Sequence, residues 1–171
     1  MKYLFLSLLA VTILGFSSCS GKKGNEDIFT EFEGDKGVYM VKLPPALFMN
    51  LIGMEKSNID TEAMGNIKLV KLLIYSREND TDSERADMYG KISGKLADYE
   101  YENLIGFNSG KVFISAYVLE NVDYISDLMI VFRENESLAC LGLSGRLKGD
   151  EIMQFASEIE YNRLRDFVNG H

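Results

Sequence analysis

Residue types that carry out catalysis are scarce in this chain of 171 residues. Its single histidine is His171, the final residue, whereas a catalytic triad needs an imidazole that the fold holds rigidly. Because chain ends are usually poorly ordered, this placement argues against hydrolases and metal sites that depend on histidine. The chain also lacks the Cys-x-x-Cys motif of zinc sites. We therefore expect no catalytic residue, no metal and no cofactor, and we favour a role other than catalysis.

Acidic side chains are the remaining source of chemistry. The 26 acidic and 18 basic residues give a formal charge of -8, which argues against nucleic acid as a partner because phosphates attract Lys and Arg. Two carboxylates can act as the acid and base of a glycosidase, and carboxylates also bind divalent cations. However, Asp80-Thr81-Asp82 lacks the third acid and the glycine of a calcium loop. We interpret it as a helix start capped by Asp80, Asp82 or Ser83, and keep a carboxylate-based, cation-dependent hydrolase as the alternative function.

Three glycines lie between a predicted strand and a predicted helix, where phosphate-binding loops occur: Gly142, Gly145 and Gly149. Their spacing is neither that of a P-loop nor that of a dinucleotide-binding turn. Arg146 and Lys148 leave an anion site open as an alternative. We interpret the glycines as positions that need tight turns or a close approach of two backbone segments.

Two tyrosines and a cysteine complete the set of candidates. Tyr99 and Tyr101 would share one side of a strand and could form an aromatic platform for a ligand. We favour placing both at the edge of the core with their hydroxyls in water. Cys140 lies within the apolar run 138–143, so we predict a buried free cysteine that acts as a small hydrophobic side chain.

The N-terminus predicts export. Residues 1–18 combine a positive Lys2 with a run of uncharged, mostly apolar residues over 3–16, which is typical of a secretory signal peptide. The run is shorter than the roughly 20 apolar residues of a membrane-spanning helix. Ser17 and Ser18 then precede Cys19. This ending resembles the lipobox of bacterial lipoproteins, with Phe16 at the position where leucine is usual.

The lipobox resemblance implies cleavage between Ser18 and Cys19, followed by lipidation of Cys19 with fatty-acyl chains such as palmitate. Two or more acyl chains anchor a protein firmly to a membrane. Residues 19–27 are predicted to form a flexible tether, because residues 20–25 are polar and include two glycines. Without residues 1–18 the chain has 153 residues and, having lost Lys2, a formal charge of -9.

Residues 28–171 predict a single α+β domain with a helical C-terminal tail. Six segments predict strands: 37–43, 67–75, 101–107, 112–119, 125–132 and 138–143. The last four are joined by short turns, which favours an antiparallel meander. Helices are predicted after Pro44, after Asp80 and after Gly149. We therefore expect a mostly antiparallel sheet, with the meander added to two earlier strands and about three helices packed on one face.

The order of several short segments resembles a known family. A signal of the lipoprotein type precedes 28–32, then 38–41, Pro44 with Phe48, 71–75 and finally 141–147. In this order they resemble the Bacteroidetes lipoproteins grouped as the domain-of-unknown-function 4252 family. The resemblance covers nearly all of the chain after the signal peptide. It implies a small domain of the cell envelope without an established activity, and it provides no catalytic residues.

Taken together, these features predict an envelope lipoprotein that is a non-catalytic binding or interaction module. We expect it to lie at the outer membrane facing the periplasm, because its first acidic residues, Glu26 and Asp27, do not directly follow Cys19. Its predicted partners are the membrane, through the lipid, and an envelope protein. Besides the hydrolase, capture of a small apolar ligand between the sheet and the helices is a further alternative.

Overall fold

The computed structural model describes residues 25–51, 65–110, 112–134 and 137–158. The four helices of this part are α1 (Asn25–Thr30), α2 (Pro45–Leu51), α3 (Asp82–Asp98) and α4 (Gly149–Glu158). Its six strands are β1 (Val38–Leu43), β2 (Ile67–Tyr75), β3 (Glu102–Ser109), β4 (Val112–Glu120), β5 (Ile125–Glu134) and β6 (Ser137–Leu147). No helix within these ranges combines the length and the apolar character needed to cross a membrane. The predicted signal peptide and most of the helical tail lie outside the described residues.

The six strands form one sheet in the order β1-β2-β6-β5-β4-β3, and every neighbouring pair is antiparallel. Strands β3 to β6 follow one another as the predicted meander, which is thereby confirmed. The sheet is extended where β2 pairs with β6, from Tyr75 opposite Leu138 to Ile67 opposite Gly145. Strand order therefore leaves β1 and β3 as the two edges.

Each face of the sheet carries its own hydrophobic core. On one side, which we call the α2 face, Phe48 and Met49 of α2 and Ile152 of α4 pack with Val70 and Leu141. On the other side, the α3 face, buried side chains of α1 and α3 pack on the sheet. The core on this face includes Ile28, Phe29, Phe32, Ile92, Leu96, Met129, Val131, Leu138 and Cys140. The domain thus has three layers, with the sheet in the middle.

The α+β class and the antiparallel sheet are confirmed, but the helices are not confined to one face. The structure describes four helices, two on each face of the sheet. The reason lies in the inner strands, where consecutive residues are apolar and buried, as in Leu72 and Leu73 of β2. Because successive side chains of a strand point to opposite faces, such strands need cover on both sides.

Candidate functional site

The N-terminus of α3 is closed by its own side chains. The Glu84 backbone amide donates to Thr81 Oγ1 at 3.2 Å, and the Thr81 amide donates to Glu84 Oε2 at 2.8 Å. This is a capping box. The predicted helix start is confirmed, but the predicted cap residues were wrong because Thr81 is the cap. Hydrogen bonds from the Thr81 backbone and side chain hold the pKa of Glu84 below its ordinary value.

Two acids near this helix start lie beside arginines, one in a nearly buried pair and one at the surface. Asp80 Oδ1 accepts from Arg85 Nη1 at 2.6 Å, and both side chains are nearly buried. Asp82 Oδ1 lies 3.9 Å from Arg133 Nη1, and the Arg133 guanidinium also sits 4.0 Å from the ring centroid of Phe113. The close pair therefore stabilises the start of α3 itself, whereas the contact of exposed Asp82 with Arg133 of β5 is a weak surface pair.

A second buried acid lies at an irregular point of the sheet, which sequence reasoning did not identify. Asp127 is 5% exposed and lies beside the β-bulge near the start of β5. Its two carboxylate oxygens accept from the hydroxyls of Ser144, at 2.5 Å, and Ser126, at 3.0 Å. Hydrogen bonds of this kind compensate for the burial of a charged group. The arrangement joins β5 to β6.

The structure confirms the prediction for the cysteine but places the two tyrosines differently from the prediction. Cys140 is buried and free, and burial raises the pKa of its thiol to about 12, which confirms an unreactive core residue. Tyr99 and Tyr101 do not lie on a strand, since Tyr99 is the C-cap of α3 and Tyr101 precedes β3. Tyr101 is only 5% exposed. The favoured placement at the core edge with hydroxyls in water fits Tyr99, whose hydroxyl contact is exposed, but not Tyr101, whose hydroxyl is buried. The alternative of an aromatic platform on one strand is ruled out.

The glycine-rich segment lies mostly within a strand. Strand β6 continues to Leu147, so Gly142 and Gly145 belong to it rather than to a loop. At Gly145 a Cβ would lie 2.0 Å from the carbonyl oxygen of Asn66. This confirms the interpretation that a glycine permits close backbone approach.

The two cations predicted near these glycines interact with different groups. The Arg146 guanidinium lies over the ring of Tyr124, 4.8 Å from its centroid. The Lys148 ammonium lies 3.7 Å from Glu151 Oε1, and the Lys148 backbone amide donates to Glu151 Oε2 at 2.9 Å. The described contacts therefore do not bring the two cationic groups together around one anion. The carboxylate of Glu151, within α4 itself, instead accepts a hydrogen bond at the start of this helix.

The described residues do not assemble a metal centre. In the ranges that the structure covers, no group of three or more His, Cys, Asp or Glu side chains could hold a metal ion. Cys19, Ser18 and His171 lie outside those ranges, so the structure does not place the predicted lipidation site.

The most unusual surface is the edge strand β3, in which every residue is exposed. Three of these residues are large and apolar: Leu104 is 52% exposed, Ile105 62% and Phe107 57%. We call Leu104, Ile105, Gly106 and Phe107 the β3 edge. Ile105 is paired with Ala116, which belongs to the core on the α2 face. Ile105 and Phe107, two positions apart, therefore lie on the α2 face of the sheet, beside that core and exposed to solvent.

A bulge explains why the sequence did not identify this edge. The register of β3 shifts between Asn103 and Ile105, so these two residues point to opposite faces although their spacing predicts the same one. The signal available in the sequence was the composition of the strand. Residues 103–109 contain no charged residue and no proline, which is unusual for an edge strand.

Comparison with known proteins adds a family but no activity. No curated protein and no solved structure matches the chain. The family model of a domain of unknown function, DUF4252, matches residues 32–155, which include both edge strands, α3 and most of α4. This match covers well over half of the chain, and the protein therefore belongs to the DUF4252 family.

Proposed function

We propose that the protein is a non-catalytic interaction module of the cell envelope, held at a membrane by lipid on Cys19, with the β3 edge as its protein-binding surface. The observation that carries the proposal is the exposure of Ile105 and Phe107 on β3, an edge strand of the sheet in the part of the chain that the structure describes. Partner proteins commonly add a strand to such an edge, so that main-chain hydrogen bonds supply affinity and side chains supply specificity.

The opposite edge of the sheet shows what a protected strand looks like in the same fold. Strand β1 also exposes apolar side chains, Tyr39 and Val41. However, β1 is shorter, carries Lys42 and ends directly before Pro44. Lysine, proline and short length are features by which natural sheets prevent edge-to-edge pairing. Strand β3 has no lysine and no proline, which favours it as the edge that receives a partner.

The N-terminal helix fixes where the tether leaves the domain. Ile28 and Phe29 of α1, and Phe32 after it, are buried on the α3 face. Lys95 Nζ lies 3.1 Å from Glu31 Oε2, which adds an ion pair between the α1 region and α3. Since α1 begins at Asn25, six positions after Cys19, a lipid on Cys19 would hold the domain within about 20 Å of the bilayer.

The tether and the β3 edge lie on different parts of the domain. Lys71 of β2 lies over the ring of Phe29, so α1 covers the sheet near β2. Strands β6, β5 and β4 separate β2 from β3, a distance of about 19 Å across the sheet. A lipid anchor near α1 therefore leaves the β3 edge accessible. We propose an outer-membrane location that faces the periplasm.

The charged groups support binding rather than hydrolysis. Two acids with little exposure, Asp80 and Asp127, accept hydrogen bonds from Arg85 and from serine hydroxyls. A glycosidase needs a pair of carboxyl groups that flank the bond to be cut, whereas the described contacts of these two acids are with hydrogen-bond donors of the protein itself. No feature of the described residues favours the hydrolase or the apolar-ligand carrier over the interaction module.

Replacing Cys19 with alanine is expected to abolish incorporation of a labelled fatty acid and to leave an uncleaved precursor of higher mass. The physical reason is that the acyl chains are attached to this residue and supply the membrane affinity. Metabolic labelling with an alkyne fatty acid, read on a gel, measures the effect. Cys140→Ala is the matched control, because Cys140 is buried in the folded domain, and it should keep full labelling. Labelling of Cys19→Ala at the wild-type level would contradict the lipid anchor.

A further inference from the structure

We propose that the partner of the β3 edge is a second copy of this chain, so that two β3 strands pair antiparallel around Gly106 and join two sheets into one. This inference rests on the proposed function of the β3 edge as a binding surface. The two strands pair in a single register. In that register Gly106 faces Gly106 of the partner subunit, and Ile105 faces Phe107 of the partner subunit.

The backbone of β3 permits this register. Residues of an antiparallel pair alternate between hydrogen-bonded and non-hydrogen-bonded positions. Ser109 is opposite Val112 across a two-residue connection, and the residues that flank such a connection form a hydrogen-bonded pair. The alternation therefore turns the N–H and C=O groups of Asn108 and Gly106 away from β4. These outward groups are the ones that pairing around Gly106 would use.

The side chains match the same two-fold arrangement. In two antiparallel strands related by a two-fold axis, one residue can lie at the axis, opposite its own copy. Each side chain then lies on the same face of the joined sheet as its copy in the other strand. With Gly106 on the axis, Ile105 and Phe107 of both copies form one apolar group on the α2 face. Gly106 itself adds no side chain at the axis on the other face. Ile105 and Phe107 are 62% and 57% exposed in the single chain, so pairing gives both the cover that they lack.

Charge allows the two acidic chains to meet at this strand. The chain has a formal charge of -8, which in general keeps copies apart. In β3 the only charged residue is Glu102, four positions from Gly106. The two Glu102 residues of a pair would lie about 27 Å apart at ~3.4 Å per residue. This is well beyond the screening length of about 8 Å at physiological salt, so the two β3 strands bring no like charges of their own together.

The expected dimer is weak in dilute solution. The bulge near Leu104 limits regular pairing to a few residues, and stable interfaces usually bury about 1,600 Å² in total. A pairing of this length buries less, so we expect association that depends on concentration. Attachment of both copies to one membrane would raise their local concentration and favour the pair.

Sedimentation of the full chain in detergent, over a range of concentrations, tests the pairing. We expect the mass to rise toward that of a dimer as concentration increases. Phe107→Lys should weaken the association at least about tenfold, because it removes apolar contact and places two cations near each other. Val41→Lys is the matched control, since it makes the same kind of change on the other edge strand, and it should leave the association unchanged. A wild-type chain that stays monomeric at all concentrations, or equal effects of both variants, would overturn the proposal.

A disulfide test reads the register directly. Opposite residues of a hydrogen-bonded pair have Cα atoms about 5.5 Å apart, which is within the range of a disulfide. Gly106→Cys should therefore form a covalent dimer on mild oxidation. Its Cβ would meet only Ser115 Oγ, at an ordinary 3.7 Å, so the fold should tolerate the change. Val122→Cys, at a loop residue that is 93% exposed, is the control and should form little dimer.

Oxidation of the wild-type chain shows whether the dimer proposal or the lipid-anchor proposal has failed. Cys140 is buried with a thiol pKa of about 12, so it should not crosslink, and acylation of Cys19 would block its sulfur. A covalent wild-type dimer would therefore indicate a free Cys19 and contradict the proposed anchor. If the Gly106→Cys variant forms no more covalent dimer than the Val122→Cys variant, the proposed pairing around Gly106 is wrong.

Discussion

Replacing Gly145 with alanine is expected to destabilise the domain strongly, because the added methyl group has no room. The new Cβ would lie 2.0 Å from the Asn66 carbonyl oxygen and 2.9 Å from its carbonyl carbon. Both are backbone atoms, so no side chain can rotate away. The Arg146 amide donates to the same Asn66 oxygen at 3.1 Å, and moving the segments apart would weaken that bond.

The expected size follows from overpacking and the weakened hydrogen bond. Together they cost about 3 kcal/mol, which is a large part of the 5–15 kcal/mol that roughly spans domain stability. Thermal unfolding followed by circular dichroism should show a Tm lower by about 10 °C. Gly94→Ala is the control because a Cβ at that helical position meets no atom within 4 Å, and it should raise the Tm slightly. An unchanged Tm for Gly145→Ala would show that β6 and Asn66 are not closely packed.

Replacing Asp80 with alanine is expected to be the second large loss of stability. It leaves the Arg85 guanidinium nearly buried without the carboxylate that lies 2.6 Å away. Arg85 Nε already lacks a hydrogen-bond partner among the described atoms, so the charge depends on Asp80 for compensation. Removing one member of a buried ion pair typically costs about 3–5 kcal/mol, and urea unfolding should show a loss of this order.

Two further variants separate the ion pair from the general effect of removing an acid. Asp82→Ala removes an acid two positions away whose side chain is 75% exposed and 3.9 Å from Arg133, and we expect a loss of at most about 1 kcal/mol. Asp80→Ala combined with Arg85→Leu should recover part of the stability, because no unpaired charge remains buried. Equal losses for Asp80→Ala and Asp82→Ala would contradict the assignment of a buried pair.

The sequence predicted those parts of the fold that depend on neighbouring residues. Short turns between the last four strand segments predicted a meander, and the structure confirms it. Cys140 was predicted to be buried because the residues around it are apolar, and it is. The start of α3 was also predicted correctly, although the choice among Asp80, Asp82 and Ser83 missed Thr81. Every one of these residues can cap a helix, so residue type alone does not identify the cap.

The sequence could not predict features that depend on distant parts of the chain. Pairing of β2 with β6 joins segments more than 60 residues apart, and this pairing leaves β3 at an edge. The exposure of Ile105 and Phe107 follows from that strand order and not from their own neighbours. The bulge near Leu104 also breaks the two-residue alternation on which the prediction depended. The close approach at Gly145 likewise becomes visible only once Asn66 is placed beside β6.

Photo-crosslinking in intact cell envelopes tests most directly the claim that the β3 edge binds a protein. Phe107 is replaced by the photoreactive analogue p-benzoylphenylalanine, with the same analogue at Val122, which is 93% exposed on a loop, as the control. We predict that irradiation yields a discrete protein adduct from position 107 and not from position 122. An adduct of twice the chain mass would identify the second copy. No adduct at position 107, or the same adducts from both positions, would contradict the account.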